Sequence, residues 1–511
     1  MSSQRAVHCV QRLEILLMKR HWFAGVLVPY LLAIAPQSPA QSLAGEIDIT
    51  VVDRSHAVIP NARITVGKAG TTGVVRNLVS GADGTARASL LDVGSYDLAV
   101  DAQGFGKLIR RDMAVAAAQV VSLELSLEPG SLSESVTVVG ATPQLEAESS
   151  TLDQVYAQSQ ILELPLNGRD YLQVGNLSAG AIPSRGTRDQ TFSAYGNNGI
   201  QNAFVLDGAR NENYMRGLQT RTRDLVRPPL DALQEFTVEA SNFSAEYGAA
   251  AGAVVLAVTK SGTNQIHGSA YEFIENGDVN ARDFFAPPGP TPLFIRNQYG
   301  GSMGGPIRKN RVWIFGAYEG TGQINHATSI TTIPTAAQIN GVFAAPIYNP
   351  FTTRANPNGS GDVRDPFPNN TIPASLFDPI GKSLLARYPT PDVPGLANNY
   401  IRQAVQDTTN HNGVVRGDWR VTDRDSMFGR FSVGRLALNA QPPLPEPAQT
   451  PATQPADSWS IGYGYTRTFT PALVNELRFT WTRQTSDQEM GHSKPFPWWH
   501  AEIRVEAAGL V

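Results

Sequence analysis

The sequence predicts a mainly β protein: an N-terminal β-sandwich, an α/β segment after it, and an incomplete antiparallel transmembrane β-barrel. Three observations predict it. Short β-branched runs separated by turn residues fill residues 44–128, long strands with large apolar residues at alternate positions follow residue 267, and the connections between those long strands alternate short and long. At 511 residues the chain exceeds what one core holds. Charged residues are 17% of it, against a usual value of about 25%, so the chain is folded but sparse in charge. The net charge of −4, with no basic stripe interleaved with aromatics, argues against a nucleic-acid partner.

Residues 1–40 have the form of an export signal. Lys19, Arg20 and His21 precede the apolar run Trp22 to Ala35, and Ser38-Pro39-Ala40 supplies small residues for cleavage, so the mature chain is expected to begin near Gln41. The run is shorter than the roughly 20 residues of a spanning helix. The start codon, Met1 or Met18, stays open. The single cysteine, Cys9, lies within this segment, which leaves the exported part without a disulfide framework or a thiolate metal site.

From Ala44 to Glu128 the expected strands are Ile47–Val52, Ala62–Val66, Ala86–Leu91, Tyr96–Val100 and Val120–Leu127, with Ser80 to Gly84 as a turn. In the last of them Val121, Leu123, Leu125 and Leu127 alternate with Ser122, Glu124, Ser126 and Glu128, which buries one face and wets the other. Asp53, Asp83 and Asp101 are read as turn and edge residues. The pattern of Gly45, Val51-Val52-Asp53, Pro60-Asn61-Ala62, Asp83-Gly84, Gly94-Ser95-Tyr96 and Gly104-Phe105 resembles the carboxypeptidase regulatory-like domain. That resemblance implies a non-catalytic sandwich, used as a spacer or docking module or to bind carbohydrate. No His-x-x-Glu zinc pair occurs in it, so no catalytic residue, metal or cofactor is expected.

Pro129 and Gly130 end the sandwich, and residues 129–143 read as a polar linker around the β-prone stretch Ser135, Val136, Thr137, Val138 and Val139. The stretch resembles the TonB box, which would pair with a TonB-type energising protein by β-augmentation; the alternative is the first strand of the next domain. In that domain, residues 144–266, Leu164, Pro165, Leu166, Asn167, Gly168 and Arg169 are followed by Phe204-Val205-Leu206 with Asp207 and Gly208. Further on come Glu235-Phe236-Thr237-Val238, Ala245-Glu246-Tyr247-Gly248, Val258 to Asn264, and His267-Gly268. The ordered set resembles the α/β plug of TonB-dependent receptors, in the branch with an N-terminal carboxypeptidase-like domain.

The residues themselves read as structural. Asp207-Gly208 suits a tight hairpin, and Gly248, Gly252 and Gly262 flank the apolar strand Ala253–Val258, as a crowded lumen requires. No nucleotide-binding glycine spacing occurs there. Ser178 to Asn198 reads as apical loops, in which Arg185 and Arg188 are the candidates for ligand contact. Arg216, Arg221, Arg223 and Arg227 are expected to meet acidic residues of a surrounding wall, with lipopolysaccharide phosphates as the alternative.

After His267 the period becomes two. Trp459, Ile461, Tyr463, Tyr465 and Phe469 alternate with Ser460, Gly462, Gly464 and Thr466; Leu477, Phe479 and Trp481 oppose Glu476, Arg478 and Thr480. Val415, Trp419 and Val421 oppose Arg416, Asp418 and Arg420, and Met427, Phe431 and Val433 oppose Arg430 and Ser432. A lipid-out, lumen-in barrel reads this way, with outer-membrane lipid as its surroundings. Three upstream strands, Gly268–Asn276, Gln298–Ile307 and Val312–Glu319, bring the total to about seven in residues 267–511, with long loops at 277–297, 320–409 and 436–457. Arg296 to Gly301, Gly304 to Ile307 and Tyr318-Glu319-Gly320 extend the resemblance. Plugged transporters use about 22 strands, so this barrel is expected to begin without closing. Gly300 to Gly304 matches Gly-x-Ser-x-Gly, but inside a strand it makes no nucleophile elbow.

The resemblance therefore implies energised uptake of an extracellular ligand, whether carbohydrate, peptide or chelate. A surface adhesion or assembly role, drawing on the long segment 320–409 and the sandwich, is the alternative. Removing Val136 to Val139 separates the two.

Overall fold

The computed structural model describes residues 43–130, 135–139, 151–183, 192–212, 225–244, 247–248, 250–281, 284, 291–444, 449, 451–470, 473–486, 489–490 and 505–510. The expected export signal, Cys9, Met18, Arg185, Arg188, Arg216, Arg221 and Arg223 lie outside the described residues.

Seven strands build the first domain: β1 (Gly45–Asp53), β2 (Arg63–Lys68), β3 (Val74–Val79), β4 (Thr85–Leu91), β5 (Gly94–Asp101), β6 (Lys107–Val115) and β7 (Val120–Leu127). One sheet runs β4-β1-β7; the other runs β3-β2-β5-β6 and continues into β8 (Ser135–Val139). Alternate residues of β1, Ile47, Ile49 and Val51, pack with Ile64, Val66, Leu98, Val100, Val121, Leu125 and Leu127 between the sheets. Burial of such side chains stabilises by about 1.5–3 kcal/mol each.

Two of these strands do not show in the sequence pattern. In β6 the run Arg110-Arg111-Asp112 breaks the alternation at a bulge, where Asp112 takes φ 56° and its N–H donates to Asp97 Oδ1 at 3.0 Å. In β3 the buried residues are Leu78 and Arg76, and Arg76 donates to the carbonyls of Ser89 and Leu90 at 3.2 and 3.0 Å. A buried guanidinium with backbone partners occupies a position that a hydrophobic reading reserves for an apolar side chain.

Within the expected linker, Ser135–Val139 is not free chain. It lies parallel to β6, from Lys107 opposite Ser135 to Arg111 opposite Val139, and it belongs to the sandwich rather than to the next sheet.

The middle domain contains β9 (Leu152–Ala157), the helix Gln158–Glu163, a hairpin of β10 (Ala181–Pro183) and β11 (Phe192–Ala194), then β12 (Ala203–Leu206), β13 (Ala209–Arg210), β14 (Leu233–Ser241) and β15 (Val254–Thr259). Its five-stranded sheet has the order β13-β12-β15-β14-β9. The strand β15 is interior to the sheet and covered on both sides, which is why its sequence is a continuous apolar run. On one face Phe204, Leu206, Phe236, Val238, Val255 and Ala257 pack with Tyr156 and Tyr171; on the other, Val205, Val254 and Leu256 pack with Tyr247.

The third sheet is a meander of long antiparallel strands: β16 (His267–Asn276), β17 (Phe294–Arg308), β18 (Val312–Thr331), β21 (Tyr400–Arg420), β22 (Asp425–Gln441), β23 (Ala452–Thr470), β24 (Leu473–Ser486) and β26 (Val505–Leu510), with the short β25 (Glu489–Met490) beside β23. The small hairpin β19 (Arg354–Ala355) and β20 (Asp362–Val363) lies in the loop after β18. Among the described residues, β16 and β26 form the sheet's two edges.

The alternation read from sequence is the alternation of exposure. Val415, Trp419, Phe431, Val433, Ile461, Tyr463, Leu477 and Phe479 are exposed, while Arg416, Arg430, Ser432, Ser458 and Ser460 are buried. Large apolar groups outward and polar groups inward is the membrane-barrel pattern. No helix among the described residues is long and apolar enough to cross a membrane.

Two loop boundaries move. The connection expected at 320–409 is 332–399, because β18 and β21 pair out to Thr331 opposite Tyr400; likewise β22 and β23 leave only 442–451 between them. These strand ends are polar at successive positions, Gln403, Gln406, Thr408 and Asn410 among them, so no period of two marks them. The 332–399 loop has its own order, with Ile333 and Phe367 buried and Asn399 donating to Ile333 O at 2.9 Å.

Candidate functional site

The inner face of the long sheet holds the middle domain through two clusters of charge. The first forms at the β12–β13 turn, where Asp207 and Gly208 both take positive φ, 48° and 81°, as a two-residue hairpin requires. The turn aims the Asp207 carboxylate back along β15. There it accepts from Thr259 N at 2.8 Å and Thr259 Oγ1 at 2.9 Å.

The wall completes the shell of Asp207. Arg430 of β22 donates to Asp207 Oδ2 at 2.9 Å, Arg416 of β21 reaches Oδ1 at 3.4 Å and Thr259 O at 3.0 Å, and Arg478 of β24 donates to Asp207 O at 2.8 Å. Arg416 is also held by Asp418 and Arg478 by Glu476, so three guanidiniums meet three carboxylates. Asp207 and Arg430 expose only 5% and 2% of their side chains, which leaves little water to screen the pair. Burial alone would push the Asp207 carboxyl up. The Arg430 and Arg416 charges and the Thr259 donors outweigh burial and hold it below the usual carboxylate range.

The second cluster centres on Arg169, at the end of the Leu164–Arg169 motif. Its guanidinium pairs with Asp231 of the same domain and, at 3.0 Å, with Glu319 of β18. It lies 4.1 Å from the ring centroid of Tyr271 and 4.9 Å from that of Phe273, both on β16. Tyr271 in turn donates to Glu319 Oε2 at 2.8 Å, and Ser269 donates to Asp231 Oδ1 at 2.8 Å. Beside it, Arg296 pairs with Asn167 and Glu275, and Gln298 donates to Gly168 O at 3.0 Å. A planar guanidinium satisfies two carboxylates and an aromatic face at once, which an ammonium does not.

Apolar contact across this interface is small by comparison. One cluster joins Ala232 to Phe315, Ala317 and Val414. At Gly262 a Cβ would lie 2.5 Å from Ile314 O and 2.8 Å from Gly305 O, so the domain's last turn presses on wall backbone.

The sandwich touches both partners. Ala117 N donates to Glu235 Oε1 of β14 at 2.7 Å, and Leu43 and Ala117 join the apolar cluster of Val205, Val254 and Leu256. Burial raises the Glu235 carboxyl above its usual range despite the Ala117 and Thr237 donors. Thr72 N reaches Asn310 Oδ1 of the wall, and Asn264 Nδ2, at the end of the middle domain, reaches Gly70 O, both at 3.4 Å.

Sequence reasoning singled out Asp207, Gly208 and Leu164 to Arg169; the structure places Asp207 and Asn167 to Arg169 at two separate wall contacts, while Leu164 and Leu166 pack on the middle domain's own core. It assigned Asp207 to a turn and missed the carboxylate's role. The signal lay in Arg416, Arg430 and Arg478, lumen-facing arginines that must find acids. Of the arginine cluster at 216–227, Arg227 alone is described; it pairs at 3.0 Å with Asp170 of its own domain.

Comparison with known proteins agrees with this architecture. Residues 258–496 match the outer membrane beta barrel domain, and residues 46–128 match the carboxypeptidase regulatory-like domain. The TonB-dependent transporter Oar of Myxococcus xanthus is 23% identical over 253 residues, which are 48% of this chain and 23% of Oar. Among solved structures, the outer membrane transporter YddB of Escherichia coli is similar at 12% identity and a TM-score of 0.44, over 70% of this chain and 43% of that one. The siderophore receptor PirA of Acinetobacter baumannii gives 14% and 0.33, over 66% and 45%. The matched regions thus span about a quarter of Oar and under half of either solved chain. The outer membrane beta barrel match places the protein in the outer membrane, and the two matched domains together with the similarity to Oar support a TonB-dependent receptor.

Proposed function

We propose that the middle domain is a plug and that the protein imports a surface-bound ligand when a TonB-type energising protein pulls on Ser135–Val139. The observation that supports this reading most is the chemistry of the plug–wall interface. It is held by ion pairs around Asp207 and Arg169, with one small apolar cluster beside them. Burying an apolar face drives permanent association, whereas a buried ion pair gives little net stability because both charges forgo hydration. When water enters the lumen, those charges recover their hydration and the seam opens at modest cost. A plug that must move is suited by such a seam.

The ligand class is tested by accumulation. Cells bearing the full chain are offered fluorescent ferric chelates, oligopeptides and oligosaccharides, with and without a proton-motive force. Accumulation of one class only in energised cells, lost on deleting Ser135–Val139, is the expected result. Equal accumulation in both conditions, or none for any class, counts against import.

A further inference from the structure

The stretch proposed to engage the energising protein is already paired in this structure. Its whole length, Ser135–Val139, lies parallel to Lys107–Arg111 of β6, as the last strand of the second sandwich sheet. The chain is pinned on its way there: Gly106 N donates to Glu128 O at 2.9 Å, Phe105 bridges Pro129, and Gly130 N donates to Gly104 O at 3.3 Å. The sandwich that holds the strand is itself fastened to the plug through Ala117 and Glu235, and Leu43 and Ala117 sit in an apolar cluster with plug residues.

We infer that the sandwich is a clasp for the docking strand: it holds β8 on β6, and the energising protein pairs with this strand only after β8 has left the sandwich sheet. The inference rests on the reading of Ser135–Val139 as the docking strand. It gives the carboxypeptidase regulatory-like domain a regulatory task. A strand that spends most of its time on β6 binds its partner with an apparent affinity lowered by the fraction of time it is free. Whatever loosens the sandwich from β8 then raises coupling to the energy source without any change at the ligand site.

A reversible lock tests the clasp. Ile109 and Thr137 are register partners on β6 and β8, and adjacent strands lie about 4.8 Å apart, within disulfide range. In a Cys9→Ser background of the full chain, Ile109→Cys with Thr137→Cys is oxidised or reduced, and capture of the purified periplasmic domain of a TonB-type protein is measured. The disulfide is expected to form, and oxidation to weaken capture by about tenfold or more, with recovery on reduction and no response in either single variant. Failure of the pair to oxidise would overturn the pairing. Equal capture in both states would overturn the clasp, since the partner would then be adding to the outer edge of a strand still in place. Val136→Pro with Val138→Pro separates the underlying reading: undiminished capture by that variant removes Ser135–Val139 as the docking strand, and the clasp with it.

Discussion

Asp207 serves the fold through both its backbone and its side chain. Its backbone makes the β12–β13 turn, and its carboxylate neutralises two wall arginines. Asp207→Asn keeps the turn and strands those charges, so the plug should lose about 3–5 kcal/mol of its hold on the wall, read as a lower urea midpoint for plug release. The carboxyl sits below its usual range, so its contribution is complete above the unfolded value of about 3.9 and is lost as pH falls through the lower folded value. Plug release should therefore become easier in that acid window in the native protein and lose this dependence in Asp207→Asn. Glu235 has the opposite sign. Burial raises its carboxyl, so its stabilisation is present below the unfolded value and is lost as pH rises through the folded one. Glu235→Gln keeps an acceptor for Ala117 N and should leave the sandwich docked at pH 7 at least as firmly, by hydrogen exchange at Ala117; Glu235→Leu should not.

At the scale of elements, legibility in the sequence followed exposure. Wherever one face of a strand meets lipid and the other a polar lumen, as in β22 and β23, the period of two is clean and the strand can be read. Ile461 lies mid-strand on the outer face, so Ile461→Arg should cost about 2–4 kcal/mol of membrane insertion, measured by folding titration into vesicles, while Thr480→Arg on the lumen side should cost much less. Elements that break the two-sided rule were hidden. The charged bulge of β6, the buried Arg76 of β3 and the polar ends of β18 and β21 carry no period, though their pairing is as regular as any. In the middle domain the period of two is absent from β15, because that strand is covered on both faces. The wall hydrogen bonds of Asp207 and Arg169 join positions 150 to 271 residues apart, a separation no local pattern bridges.

Across the whole molecule, three domains meet at one small sheet. The wall grips it through charge, and the sandwich grips it through Glu235 while keeping hold of the strand that would receive the pull. In the function proposed above, this sheet is a plug that moves under energisation. Ala232 is fully buried against Phe315, Ala317 and Val414 of the wall and takes no part in the ion pairs. Labelling of Ala232→Cys by a water-soluble maleimide, in a Cys9→Ser background in living cells, reports directly on that movement. The expected result is protection in de-energised cells, labelling once a proton-motive force is restored, and protection again when Ser135–Val139 is deleted; equal labelling with and without energisation would contradict the account.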